Sequence, residues 1–440
     1  MLKEITTDKI EIQDIQNSKQ FYNTEVDFDA YKKHKDELEK EWNALGKENQ
    51  KEFGTIKKFF QDKLPPYSDE ELNRARHYSL LKNEVDKRIS EQINIPLLSV
   101  NQLHTEQSLL ELLENLENDQ NIKNLYRIRK LNIGNTKNAG IQSNEAMRLK
   151  NCLRQGRELY LSGKVGSLMV KPLNFFYSLT AYSYAATILN NPLRFSIDHL
   201  PGSHGIIYQR TGLKIQFGGD VPHGTFSELA CSFPTFLHKD KNIQIVQNNI
   251  QTNLEYFNKK ISTSIGTLLS MVPEIREYYS LVTGKNGRTH PLLISTKSEP
   301  RNVIFEIQIG DGYNMPDKNC IAKAFESFDI SEMYGKIIVK VPTTDAHKIS
   351  ASIYTDSKGM FWYIENPFHP INLSEFCIHF LLINAFSNIM RYAPDQWGDI
   401  LYNNVDSKIS LITRKYISSL ENKFMFLILR NVSEYYPYVA

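Results

Sequence analysis

The sequence predicts an α+β protein, a mainly helical body with a small antiparallel β-sheet and hairpins in its middle. Two observations lead there. Apolar residues recur at helical spacing in the first and last stretches of the 440-residue chain, and short alternating runs bounded by glycine turns fill the centre. Hydrophobic residues make up 41% and aromatics 11%, enough for a large core. The length suggests more than one folding unit.

Residues 1–26 read as a tail or a single strand. From Asp27 to about Phe60 the pattern is helical and very polar, with Tyr31, Leu38, Trp42, Leu45 and Phe53 as sparse apolar points. Leu64-Pro65-Pro66-Tyr67 breaks it. Ser68 and Glu71 have the spacing of a capping box for a helix over Asp69 to Ile93. Thr105 to Glu117 is a short amphipathic helix. The glycine-bearing loop Gly134 to Gly140 marks the expected boundary between an acidic helical extension, residues 1–133, and a body over 141–440. In that body Asn144 to Leu161 and Leu168 to Leu189 are helices, the second apolar on most sides and therefore central. Gly205 to Phe217 reads as a hairpin, and Val303 to Ile309, Lys336 to Val341, Ile349 to Tyr354 and Met360 to Ile364 as strands. These form β insertions at about 204–220 and 301–365. Pro273 to Val282 is helical. Helices return at Leu373 to Arg391, Pro394 to Tyr402 and Ser407 to Val432.

Composition narrows the function classes. Four well-separated cysteines have no zinc or redox spacing and read as buried thiols. The longest apolar run, Phe376 to Met390, is interrupted by His379, Asn384 and Asn388 and is shorter than the ~20 residues a membrane helix needs. The start of the chain carries no apolar leader. A cytoplasmic protein with no membrane association is the expectation. Charge is uneven: residues 1–122 hold 17 basic and 25 acidic side chains, whereas residues 123–171 hold 11 and 2. Such neighbouring blocks pair with each other or face a charged partner. Arg127, Arg129, Lys130, Arg148, Lys150, Arg154 and Arg157 form the candidate nucleic-acid-binding set, because clustered cations bind phosphate backbones through counterion release. The competing reading pairs them with the acidic helices.

Other constellations are weaker. Arg194-Phe195-Ser196-Ile197-Asp198-His199 matches the Arg-φ-x-x-x-His pattern and resembles HEPN-type ribonucleases, which implies Arg194 for charge stabilisation and His199 for proton transfer. Pro192 and Pro201 place it in a loop, where an ordinary histidine is the commoner case. His199, His204 and His223 match no metal-ligand spacing, so no metal and no cofactor are expected. Glu375 and His379 lie one turn apart on an apolar helix, which suits a buried hydrogen-bonded histidine. Glu306 with Asp311 reads as solvent-facing alternation.

Three blocks carry a family likeness: Cys152 to Tyr160 followed by Lys171 to Leu179; His204-Gly205; and Arg391-Tyr392 running to Trp397. Their order and spacing resemble YaaC-like proteins from about residue 145 to the end. That resemblance supplies no catalytic residues. Read physically, Pro172 presets a helix start, Phe175, Phe176, Leu179 and Tyr182 are packing positions, Arg391 complements a helix C-terminus, and Trp397 anchors a turn. The expectation is a non-catalytic or auxiliary protein that works with partner proteins, with nucleic acid as a candidate partner and phage defence as a candidate setting. A metal-independent ribonuclease is the alternative.

Overall fold

The computed structural model describes residues 28–45, 50, 54–69, 71–72, 97–100, 105–132, 139–191, 193–232, 254–296, 302–309, 315–333, 335–342, 345, 352–402, 407–433 and 436–439. The chain divides into two compact units, residues 1–92 with 296–300 and residues 93–295 with 301–440.

In the first unit α1 (Phe28–Ala44) and α2 (Ile56–Lys63) replace the one long helix read over 27–60. The cause is local. Gly54 takes a φ of +79° that side-chain-bearing residues avoid, and Thr55 caps α2 by accepting from the Lys58 N–H at 3.3 Å. Leu38 and Phe59 are buried, and the Trp42 and Phe59 rings pack 5.2 Å apart. Ser68 and Glu71 form the reciprocal capping pair read from sequence, at 2.8 and 3.2 Å. The tail at 1–26 and most of the helix read to Ile93 lie outside the described residues.

The second unit begins with β1 (Leu97–Val100), α3 (Thr105–Leu116) and α4 (Asp119–Asn132). Sequence reading assigned these to an N-terminal extension. Instead Leu109, Leu113, Ile122, Leu125 and Tyr126 are buried in the same core as Leu149 and Leu153, so their apolar faces join them to the body. The boundary between compact units falls at 92/93 rather than at 134–140.

α5 (Ser143–Val165) and α6 (Lys171–Asn190) follow, with Pro172 in the first turn of α6 as expected. α6 is the central helix and packs on α4, α5 and two later helices, Glu375–Tyr392 and Ser407–Val432. Its approach to α5 requires glycine. A Cβ at Gly156 would stand 2.6 Å from the Tyr182 ring, and one at Gly163 2.7 Å from Phe175.

A three-stranded sheet, β2 (Ile207–Gln209), β3 (Lys214–Phe217) and β4 (Ile261–Ser264), contains the expected hairpin in an antiparallel ladder. Short helices α7 (Thr225–Ala230), α8 (Ile265–Leu269) and α9 (Arg276–Thr283) lie along this stretch. A larger sheet runs in the order β7-β8-β6-β5-β10-β9. Its strands are β5 (Thr289–Thr296), β6 (Asn302–Gln308), β7 (Asp329–Met333), β8 (Lys336–Pro342), β9 (Ile353–Thr355) and β10 (Phe361–Ile364), with α10 (Lys318–Ala324) between β6 and β7. Asp356 turns the β9–β10 hairpin by accepting from the Lys358 and Met360 N–H groups, both at 2.9 Å.

α11 (Glu375–Tyr392), α12 (Pro394–Leu401) and α13 (Ser407–Val432) close the bundle. Tyr160 stacks on Phe424 at 4.7 Å and Phe176 meets Phe380 at 5.5 Å, linking α5 with α13 and α6 with α11. Trp397 is fully buried, and its indole N–H donates to the Met169 carbonyl at 3.1 Å. A final strand, β11 (Tyr436–Val439), pairs with β1 in parallel, a feature the sequence did not suggest. No described helix is long and apolar enough to cross a membrane.

Candidate functional site

The basic block is met by carboxylates. Along α5, Lys150 reaches Asp119 at 2.6 Å, and Arg154 and Arg157 both reach Glu117, at 3.2 and 2.7 Å. Arg157 also touches Glu114 and Glu158, at 3.3 and 3.2 Å. Hydrogen bonds to Glu117 hold the Arg157 guanidinium above its ordinary pKa. Arg148 pairs with Glu145 at 2.5 Å and with Asp198. Lys164 meets Glu106, and Lys171 meets Glu421 at 2.6 Å. Glu106, Glu114, Glu117 and Asp119 all come from the acidic stretch ahead of the block, on α3, on α4 and just between them.

The remaining three of the seven candidates sit on α4. Arg127 donates to Asn124 at 3.2 Å. Arg129 donates to Asn190 at 3.3 Å and to the Ser433 carbonyl, which ties α4 to the ends of α6 and α13. Lys130 is fully buried; its ammonium donates to the Asn191 and Arg194 carbonyls at 2.6 and 2.8 Å and lies against the Tyr126 and Phe195 rings. Burial pushes its pKa down to about 7. Lys130 is therefore a core residue and does not belong to a polyanion-facing surface.

Arg194 and His199 are not brought together around a common partner. Arg194 grips Glu228 on α7 at 2.6 and 2.8 Å, whereas His199 ends an exposed 3-10 turn, Ile197–His199. Glu228 also accepts from His223 at 2.8 Å. Burial alone would raise the Glu228 carboxyl; the hydrogen bonds and charge of His223 and Arg194 outweigh it and hold the group at about 2. The guanidinium that a ribonuclease would present to phosphate is thus spent on an internal carboxylate.

The three loop histidines have separate surroundings. His199 is exposed, His204 packs edge-on against Phe176 at 4.8 Å, and His223 serves Glu228. Among the described residues no group of acidic, His and Cys side chains has a metal-binding arrangement. Glu306 pairs with Lys336 at 2.7 Å, and Asp311 lies outside the described residues. His379 is buried and bonded to the Tyr416 hydroxyl at 3.2 Å, the arrangement expected for an apolar helix. Its neighbour Glu375 instead faces the buried Lys423, which also stands 2.5 Å from Glu274.

An open groove of about 710 Å³ runs beside α13. Leu168 forms one wall, and Ser407, Lys408, Leu411, Arg414, Lys415, Ser418 and Glu421 form the other. Lys408, Leu411, Lys415 and Ser418 follow one helical row; Ser407, Arg414 and Glu421 follow the next. The groove spans about 21 Å of helix at 1.5 Å per residue. Its walls carry three cations and one carboxylate, and that carboxylate, Glu421, is engaged by Lys171. Lys415 stands 4.6 Å over the Tyr278 ring. Sequence reading passed over these residues, because heptad-spaced cations on a long helix usually mark nothing more than a wet face.

Fold and site define a helix-rich α+β protein with an open groove lined by three cations and two leucines. The chain belongs to the YaaC-like protein family, whose model matches residues 111–432. The match begins earlier than the likeness read from the motifs and takes in the second half of α3 and all of α4, in keeping with their place in the core. No curated protein and no solved structure matches the chain.

Proposed function

We propose that this chain is a non-catalytic interaction protein of the cytoplasm, a subunit that works with a partner protein held in the α13 groove. The observation that carries the reading is the groove itself: an elongated trough with Leu168 and Leu411 in its walls and an excess of positive charge from Lys408, Arg414 and Lys415. Helix-in-groove recognition uses this combination, apolar anchors on one face of the incoming segment and opposite charges beside them. A length of about 21 Å suits some fourteen residues of helix better than a compact metabolite. The occupant is accordingly an acidic amphipathic segment. Protein, rather than nucleic acid, is the partner class, since the α5 cations already have carboxylate mates.

A photo-cross-linking residue in place of Leu411, introduced into the protein in its native cells, tests this. The expected product is a protein adduct whose trapped peptide is acidic and amphipathic, absent when the cross-linker replaces the exposed Leu281. Adducts only to nucleic acid, or equal adducts at both positions, would overturn it.

A further inference from the structure

The junction of α5 and α6 is apolar where chain reversals are usually polar. It reads Val165-Gly166-Ser167-Leu168-Met169-Val170. Met169 packs against the core. Val165, Leu168 and Val170 turn outward and are 88%, 37% and 46% exposed. Leu168 is also a wall of the α13 groove, across from Leu411, which is itself exposed. Chain connectivity keeps Val165 within about 11 Å of Leu168 and Val170 within about 8 Å, at 3.8 Å per residue. These side chains therefore stand together at the edge of the groove.

The junction is held rigid. Gly166 N–H donates to the Ser162 carbonyl at 3.1 Å, and the Val170 and Lys171 N–H groups both donate to the Ser167 carbonyl at 3.0 Å. A Cβ on Gly166 would stand 3.4 Å from the Val170 side chain, so the turn is wound tightly on itself. From α12, the buried Trp397 indole N–H holds the Met169 carbonyl at 3.1 Å. Exposed apolar side chains fixed in this way lose little freedom when covered, which is how the anchor points of interfaces are built. Both flanks are neutralised: Lys164 pairs with Glu106, and Lys171 with Glu421 at 2.6 Å. The groove's cations, Lys408, Arg414 and Lys415, lie along α13 instead.

We infer, building on the groove as a protein-binding trough, that the α5–α6 junction is the apolar anchor site of the same partner segment. Acidic residues of the segment lie along α13, and a bulky apolar side chain just beyond one end seats on Val165 and Val170. Two valines beside a leucine make a shallow, wide contact that suits an indole or phenyl ring. The cations line a trough of about 710 Å³ and not a flat rim, which favours a peptide over a bilayer surface.

The test is fluorescence anisotropy of the full-length protein with labelled helical peptides of about eighteen residues, enough for the groove and one further turn. Each carries Glu and Leu at helical spacing. One has no aromatic residue, one ends in Trp at its N-terminus and one at its C-terminus. One of the two tryptophan peptides should bind about tenfold tighter than the plain peptide, the scale of burying apolar area on two valines. Val165→Ser combined with Val170→Ser should abolish that preference and leave the plain peptide's affinity unchanged, whereas Lys415→Gln should weaken all three. Val165→Ser alone, at a site almost wholly in solvent, preserves the fold and should reduce the preference measurably. Equal binding of the three peptides to the wild type, or a preference that survives in the serine pair, would overturn the anchor and leave the reading of the groove standing. No saturable binding by any peptide would overturn both. Binding to vesicles of phosphatidylglycerol and phosphatidylcholine that is lost in the serine variants, with no tryptophan preference, would overturn the class of occupant.

Discussion

Arg194 and Glu228 meet through two hydrogen bonds, 2.6 and 2.8 Å long, between the loop after α6 and the short helix α7. The pair makes a motif arginine into a structural clamp. Glu228 is almost wholly buried, so removing Arg194 leaves its charge to His223 alone.

Arg194→Ala should therefore lower stability by about 3 kcal/mol, as expected for breaking a buried ion pair. Glu228→Gln tests the same clamp through pH. The folded carboxyl is held at about 2, below its unfolded value near 4.3. A depressed carboxylate contributes stability that is fully present above the unfolded pKa and is lost as pH falls toward 2. Allowing for solvent screening, that contribution is about 2 kcal/mol. Urea titrations between pH 6 and pH 2 should show a steeper acid loss in the wild type than in Glu228→Gln. Parallel curves would remove the clamp from the argument.

The basic face makes a second prediction. Reversing Lys150, Arg154 and Arg157 to Glu places like charges against Asp119, Glu114 and Glu117. The variant should lose about 2–4 kcal/mol of stability in denaturant titrations. DNA or RNA retention, if the wild type has any, should change by no more than the unfolded fraction accounts for. Loss of salt-sensitive retention in a fully folded variant would restore a polyanion role to these residues.

Close packing of α5 on α6 gives a third. Gly156→Ala pushes a methyl group to 2.6 Å from the Tyr182 ring, and Gly163→Ala to 2.7 Å from Phe175. Both rings are fixed in the core, so helix propensity gained by alanine is outweighed. Each change should cost about 1–3 kcal/mol. Gly398→Ala, where the added Cβ meets nothing, should be neutral or slightly stabilising. Thermal unfolding of the three variants decides it.

Lys423 gives a fourth. It is buried between Glu274 and Glu375, and these two charges raise its pKa against the opposing effect of burial. Burial raises Glu375. Lys423→Met leaves two carboxylates facing each other in the bundle and should cost about 3–5 kcal/mol. Adding Glu274→Gln and Glu375→Gln should recover part of that loss, measurable in a mutant cycle.

Much of the helical body was legible because its apolar residues keep one period for many turns. α6 and α11 came through within a few residues, and so did the capping pair at Ser68 and Glu71. Two kinds of feature were hidden. Strands β1, β4 and β11 are short and owe their state to partners far away in the chain, which local pattern does not record, and β7 is a polar edge strand held only by the next strand, β8. The α5 cations looked available because the carboxylates that hold them belong to α3, α4 and the turn between, stretches that composition grouped with a separate extension.

The Gly205 and Gly224 backbones touch so closely that a Cβ on Gly224 would overlap the Gly205 nitrogen. Nothing compressible separates the two loops. Any force that tilts the His204 arm must carry the His223 arm along, as two leaves of a hinge share one pin.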